Sequence, residues 1–163
     1  MLKRGVSVHR GTEADLGYFW AAYRKDGMDP ERFPRGLSQD QFLGRLERQI
    51  GSAARVDIIV GRYAKGDGFR PVGAVVVATD GYHVFPVVTW FPWASDRNRL
   101  EGAAYWLNEV RRSHLAVFKV TMLERGFFDR LCQYALLHRV GVLPDWYGAG
   151  SGAMEYCTRL VRA

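Results

Sequence analysis

Arg97 and Arg99 flank Asn98 at the start of a helical pattern, directly after a β-rich run that ends Thr89-Trp90-Phe91. A strand that leads into a helix start aims backbone N–H groups and a partial positive charge at one place. Cations in a first helical turn oppose the macrodipole. The two arginines therefore stand where helix stability alone would not put them. The chemistry this spacing points to is capture of an anion, a phosphate-bearing ligand above all.

Other reactive side chains are scattered. His9, His83, His114 and His138 fall in no metal-ligand spacing with one another or with Cys132 and Cys157, so no metal site is expected. Glu124, Asp129 and Glu155 could each act as a base, but no partner brackets them in sequence. Glu13, Asp15 and Glu47 read as solvated helix charges. Trp90, Phe91 and Trp93 crowd one strand end, either as packing under the next helix or as an apolar wall for a ligand. Trp146-Tyr147 precedes Gly148-Ala149-Gly150-Ser151-Gly152. That stretch lacks the Gly-Lys-Ser/Thr ending of a phosphate loop and leads into a strand. It reads as a flexible hairpin connection whose two aromatics form a contact surface.

The elements that must position these groups alternate in type. At 163 residues the chain reads as a single domain, residues 1–163. Val6-Ser7-Val8 is a short strand, and Thr12 caps a helix with Leu16, Phe19, Trp20 and Tyr23 on one stripe. Residues 28–37 form a loop, and Ser38 caps a second helix with Phe42 and Leu46 inward. Three strands follow, 56–63, 71–79 and 82–91, joined by Lys65-Gly66-Asp67-Gly68 and Asp80-Gly81 as hairpin turns. The helix after Asp96 turns Leu100, Ala103, Ala104, Leu107 and Val110 to one side. A strand over 115–121, a helix over 125–140 with Gly141 just past its end, and a closing strand over 153–161 complete the chain.

Composition bounds the setting. The charge is +6 with arginines dispersed along the chain, which favours small anions or acidic partners over nucleic acid. No apolar run approaches the ~20 residues of a membrane span. Met1-Leu2-Lys3-Arg4 has no apolar stretch behind it, so a secretory signal is not expected. Two cysteines outside any CxxC pattern suggest buried thiols in a reducing, cytoplasmic setting.

The order strand, two helices, three antiparallel strands, helix, strand, helix, strand resembles the GNAT (Gcn5-related N-acetyltransferase) fold over nearly the whole chain. The resemblance implies an α/β fold: a mostly antiparallel sheet of six or seven strands flanked by four helices. It also implies acetyl-CoA as cosubstrate, lying in a V-shaped gap after the third meander strand. Its pyrophosphate would rest on the next helix, on a motif of the form (Q/R)-x-x-G-x-(G/A). By resemblance, Trp90 and Phe91 would supply strand contacts to the acyl and pantetheine arm, and Arg97, Asn98, Arg99 and Gly102 would hold the pyrophosphate. The motif is degenerate: at most one glycine fits, Leu100 and Glu101 stand among its positions, and Asp96 as N-cap would occupy donors. The family's late tyrosine position, four residues before Gly141, holds Leu137, so Tyr134 and His138 are the substitutes for the acid.

Two functions follow from the resemblance. One is an N-acetyltransferase acting by direct attack of a small-molecule or peptide amine. The other is a catalytically inactive GNAT-fold protein that binds a protein partner. The Thr12-Glu13-Ala14-Asp15-Leu16 opening and the aromatic Phe19-Trp20-Ala21-Ala22-Tyr23-Arg24 helix are similar to small phage-encoded GNAT-like proteins. For the second reading this places the chain in a virion or host cytoplasm. The final strand could also pair between subunits in a homo-oligomer.

Overall fold

A computed structural model of the chain describes residues 5–26, 33–51, 55–62, 69–91, 93–110 and 112–159. The elements run β1 (Val6–Arg10), a 3-10 turn (Glu13–Asp15), α1 (Leu16–Asp26), α2 (Gln39–Gly51), β2 (Arg55–Arg62), β3 (Phe69–Asp80) and β4 (His83–Trp90). They continue with α3 (Asp96–Val110), β5 (Leu115–Thr121), α4 (Arg125–Leu131), β6 (Leu137–Leu143) and β7 (Ala153–Thr158). The seven strands form one sheet in the order β1-β2-β3-β4-β5-β7-β6. Every pair is antiparallel except β4 with β5.

Two apolar layers sandwich the sheet. Phe19, Ala22 and Tyr23 of α1 and Phe42 and Leu46 of α2 pack on Val56, Ile58, Ala74 and Phe91. On the other face, Ala103, Ala104, Trp106, Leu107 and Val110 of α3 and Phe128 and Leu131 of α4 cover Ile59, Val75, Val77, Phe118 and Tyr156. Local signals fix the helix starts. Ser38 and Gln41 form a reciprocal capping box: the Gln41 N–H donates to Ser38 Oγ at 3.2 Å and the Ser38 N–H to Gln41 Oε1 at 2.9 Å. The Tyr23 hydroxyl donates to the Pro34 carbonyl at 2.6 Å and accepts the Leu37 N–H at 2.8 Å, tying the incoming loop to α1.

The third and fourth sequence-read helices differ in what the structure does with them. α3 begins at Asp96 as its pattern predicts, but its cap is Ser95, whose Oγ accepts the Asn98 N–H at 3.0 Å. The fourth helix ends at Leu131, not near 140. Helical bonds persist only as turns to Ala135, and residues 137–143 become β6. The apolar spacing of Phe128, Leu131, Cys132 and Ala135 suits both outcomes, whereas Val140-Gly141-Val142-Leu143 fits a strand. Gly141 is accordingly no helix terminator. It sits at the register shift of β6 opposite Glu155. The hairpin turn 65–68, Pro92 and residues 28–32 of the 28–37 loop lie outside the described residues.

The feature that matters most is the wedge between β4 and β5. These parallel strands pair only at His83↔Leu115 and Val84↔Ala116. The backbone gives the reason. The Leu115 N–H donates to the Tyr82 carbonyl at 2.9 Å, and the Phe91 N–H to the Val72 carbonyl at 2.9 Å. Hydrogen-bonding direction alternates along a strand, so even-numbered residues of β4 address β5 and odd ones address β3. The next even residue after Val84 is Pro86, which has no N–H to give. The ladder stops there and the strands part.

Candidate functional site

Beyond Pro86 the open edge of β4 presents the N–H groups of Val88 and Trp90 toward the wedge, by the same alternation. Phe91 is not part of that edge. Its N–H is taken by Val72, and its fully buried ring packs at 5.4 Å on Phe19 under α1. The Trp90 indole lies on the α3 side. It rests on Gly73, where a Cβ would fall 2.5 Å from Cε3, and near Gly102, where a Cβ would lie 3.6 Å from Cη2. Its edge meets the Phe127 ring of α4 at 6.0 Å. An aromatic bridge therefore joins β4 and α4 across the wedge on this face.

The first turn of α3 closes the donor end of the wedge. With Ser95 as cap, the N–H of Asn98 is satisfied. The N–H groups of Asp96 and Arg97 have no intrahelical acceptor by position. Arg97 turns back along the helix and binds Glu101 through Nε at 2.6 Å. That hydrogen bond, then the Glu101 charge, raise the Arg97 pKa above its ordinary value. Arg99 differs. Its Nε is buried and has no hydrogen-bond partner among the described residues. A buried donor left unpaired costs about 1–3 kcal/mol.

Asn98 and Gly102 do structural work. The Asn98 amide lies against Gly61, 3.0 Å from where a Cβ would stand. A Cβ at Gly102 would come within 2.6 Å of Ile59 Cγ2, so this glycine sets the approach of α3 to β2. Tyr134 is exposed in the turns after α4. His138 is exposed on β6, opposite Cys157, with β7 between it and β5. Trp90 and the backbone N–H groups of Asp96 and Arg97 belong to the β4–α3 junction at one end of the wedge. The Arg97 guanidinium instead pairs with Glu101, whose Oε2 lies 3.4 Å from where a Cβ at Gly5, just before β1, would stand. His138 is about 10 Å of sheet away from β5.

Sequence reading missed several participants. Val88 is an ordinary strand valine, and only the hydrogen-bonding parity of β4 reveals its amide. Asp57 is buried on β2 and accepts Trp106 Nε1 at 2.8 Å and Arg55 Nε at 3.1 Å. Tyr156 is fully buried and donates to Asp129 Oδ1 at 2.7 Å. Burial, then that hydrogen bond, push its pKa well above the tyrosine value. The glycine-rich 145–152 loop is closed on itself rather than slack. Four hydrogen bonds link Asp145, Tyr147, Gly148, Gly150 and Ser151. Both cysteines are free and half-buried, and burial raises both thiol pKa values. No group of three or more His, Cys, Asp or Glu side chains able to hold a metal forms among the described residues. There, too, no helix is long and apolar enough to cross a membrane.

No protein-family model and no curated protein sequence matches the chain. Its architecture, however, matches solved structures over nearly its full length. Spermidine N-acetyltransferase from Vibrio cholerae, in complex with CoA and spermine, superposes with a TM-score of 0.68 at 12% identity, covering 95% of each chain. An N-acetyltransferase from Staphylococcus aureus Mu50 gives 0.66 at 10% identity, covering 96% of this chain and 99% of that one. The ribosomal-protein-S18-alanine N-acetyltransferase from Escherichia coli gives 0.60 at 9% identity, covering 97% and 96%. The chain has the fold of the GNAT N-acetyltransferases, with a mixed sheet of seven strands and four helices among the described residues.

Proposed function

We propose that the protein is an acyl-CoA-dependent N-acetyltransferase that uses the β4–β5 wedge. The observation that carries this is the strand parting at Pro86, which leaves two amides of β4 unpaired beside the start of α3. The residues present fit acetyl-CoA in part. Val88 and Trp90 would receive the pantetheine arm and the thioester carbonyl through their N–H groups. Asp96 and Arg97 N–H, with the unpartnered Arg99 Nε, would receive the diphosphate. Asn98, Gly102 and Phe91 shape these elements without reaching the ligand. One feature works against entry, the Trp90–Phe127 bridge.

The chemistry asked of the chain is modest. Holding donor and amine together supplies most of the acceleration. An amide aimed at the carbonyl oxygen stabilises the charge that develops there. Tyr134, in the turns after α4, is our assignment for the proton that the departing sulfur needs. His138 is the weaker choice because β7 separates its strand from β5.

The test is thermal unfolding with and without acetyl-CoA. Ligand at ~100 times its dissociation constant adds about 2.7 kcal/mol, a rise of roughly 5–10 °C for a domain of this size. An unchanged melting temperature would remove the catalytic reading and leave a non-catalytic GNAT-fold protein.

A further inference from the structure

Lys119 and Glu155 are direct partners across the β5–β7 ladder, so their side chains share one face of the sheet. It is the face opposite α3 and α4, since Phe118 and Tyr156, their neighbours in the two strands, point into the α3–α4 core. Opposite charges placed this way ordinarily attract one another. Here no ion pair joins them. Lys119 Nζ instead sits 4.5 Å from the Trp146 ring centroid and 5.5 Å from that of Phe85 on β4. The Trp146 side of this cage is anchored: the Tyr147 hydroxyl donates to the Lys119 carbonyl at 2.7 Å, and the loop around it is closed by its own hydrogen bonds. A cation and a carboxylate are thus held side by side, apart from each other, next to the parting strands.

Resting on the acetyltransferase reading, we infer that the acceptor is a primary amine that carries a carboxylate a few atoms away: an amino acid, or a peptide with an acidic first residue. Lys119 holds the carboxylate and Glu155 faces the amine. In the transfer, the acceptor nitrogen bonds to the acetyl carbonyl carbon as the thioester C–S bond breaks. The nitrogen's proton passes to Glu155, and the sulfur leaves as a thiolate that is then protonated. The Lys119 charge repels a polyamine.

The experiment compares aspartate, the dipeptide Asp-Ala and spermidine as acceptors, reading thiol release. The better acidic amine should exceed spermidine by at least about tenfold in kcat/KM, the scale of one charge-assisted contact. Lys119→Met should erase that preference through KM, and Lys119→Arg should retain it. The acetyl-CoA melting shift should survive in both variants. Equal or better turnover of spermidine, or a preference that persists in Lys119→Met, would overturn the inference. A missing acetyl-CoA shift would instead sink the enzyme reading. A titration without acetyl-CoA then decides the acceptor site: Asp-Ala should move the amide NMR signals of Lys119, Trp146 and Glu155 in the wild type and not in Lys119→Met. No movement in the wild type overturns it.

Discussion

Trp90 and Trp146 both stand beside the β4–β5 wedge, on opposite faces of the sheet, and their surroundings have little in common. Trp90 is fitted between two glycines and against Phe127, with helices α3 and α4 above it. Trp146 is 52% exposed and touches a lysine. On the α3–α4 face the Arg97–Glu101 pair takes up two charges locally. On the far face Lys119 and Glu155 stay unpaired although the ladder sets them opposite each other. The contrast teaches that a fold can close one side of a wedge by packing while holding polar groups ready on the other. It also assigns tryptophans of equal size unequal roles, and that is open to measurement.

The largest effect separates the two tryptophans. Trp90→Ala should lose about 3 kcal/mol of unfolding free energy, from lost apolar contact and the cavity left between Gly73 and Gly102. Trp146→Ala should stay within about 0.5 kcal/mol. Urea unfolding of the two variants tests the pair. Similar losses would mean that the 145–152 loop is as integral to the core as the wedge, and the contrast would fail.

A smaller effect distinguishes the two arginines within the α3 turn. Arg99→Ala should weaken acetyl-CoA binding about tenfold, since a buried, unpartnered guanidinium nitrogen is the donor most in need of an anion. Arg97→Ala should change it less than about twofold, because an exposed pair to Glu101 already engages that side chain. Calorimetric titration reads both. If Arg97→Ala has the larger effect, the Glu101 contact gives way on binding and the static geometry misleads at this turn.

Much of this architecture was legible before any coordinates. The 3.6-residue stripes of Phe19 and Tyr23, the Ser38 cap and the apolar run at 74–78 specify their elements locally, and the structure follows them. The α4–β6 segment was not legible, because Phe128, Leu131, Cys132 and Ala135 satisfy a helical period whether or not the helix continues past them. Only pairing with β7, a non-local contact, selects a strand for residues 137–143. At the wedge, sequence pointed to the α3 start and to Trp90. It could not tell Arg97 from Arg99, since both occupy the same turn and only Glu101 and burial separate them. Nor could it find the Val88 amide or the Lys119–Trp146 contact. A backbone parity and a cage across two strands and a loop have no signature in local spacing.

The smallest expected effect lies at the rim, where α4 meets β7. The Tyr156 hydroxyl donates to Asp129, a partly exposed carboxylate that water can also serve. Tyr156→Phe should therefore cost only about 1 kcal/mol at neutral pH. The sign of the pH dependence follows from the raised phenol pKa. In the unfolded chain a tyrosine ionises near pH 10, whereas the folded protein keeps this one protonated to higher pH. Stability from this group is whole below pH ~10 and drains away as pH climbs past it. The advantage of wild type over Tyr156→Phe should thus be constant from pH 7 to 9 and shrink between 10 and 11. Denaturant unfolding of both proteins across that range gives the curve. An advantage that grows with pH would mean that the folded state favours the phenolate, which burial beside Asp129 forbids.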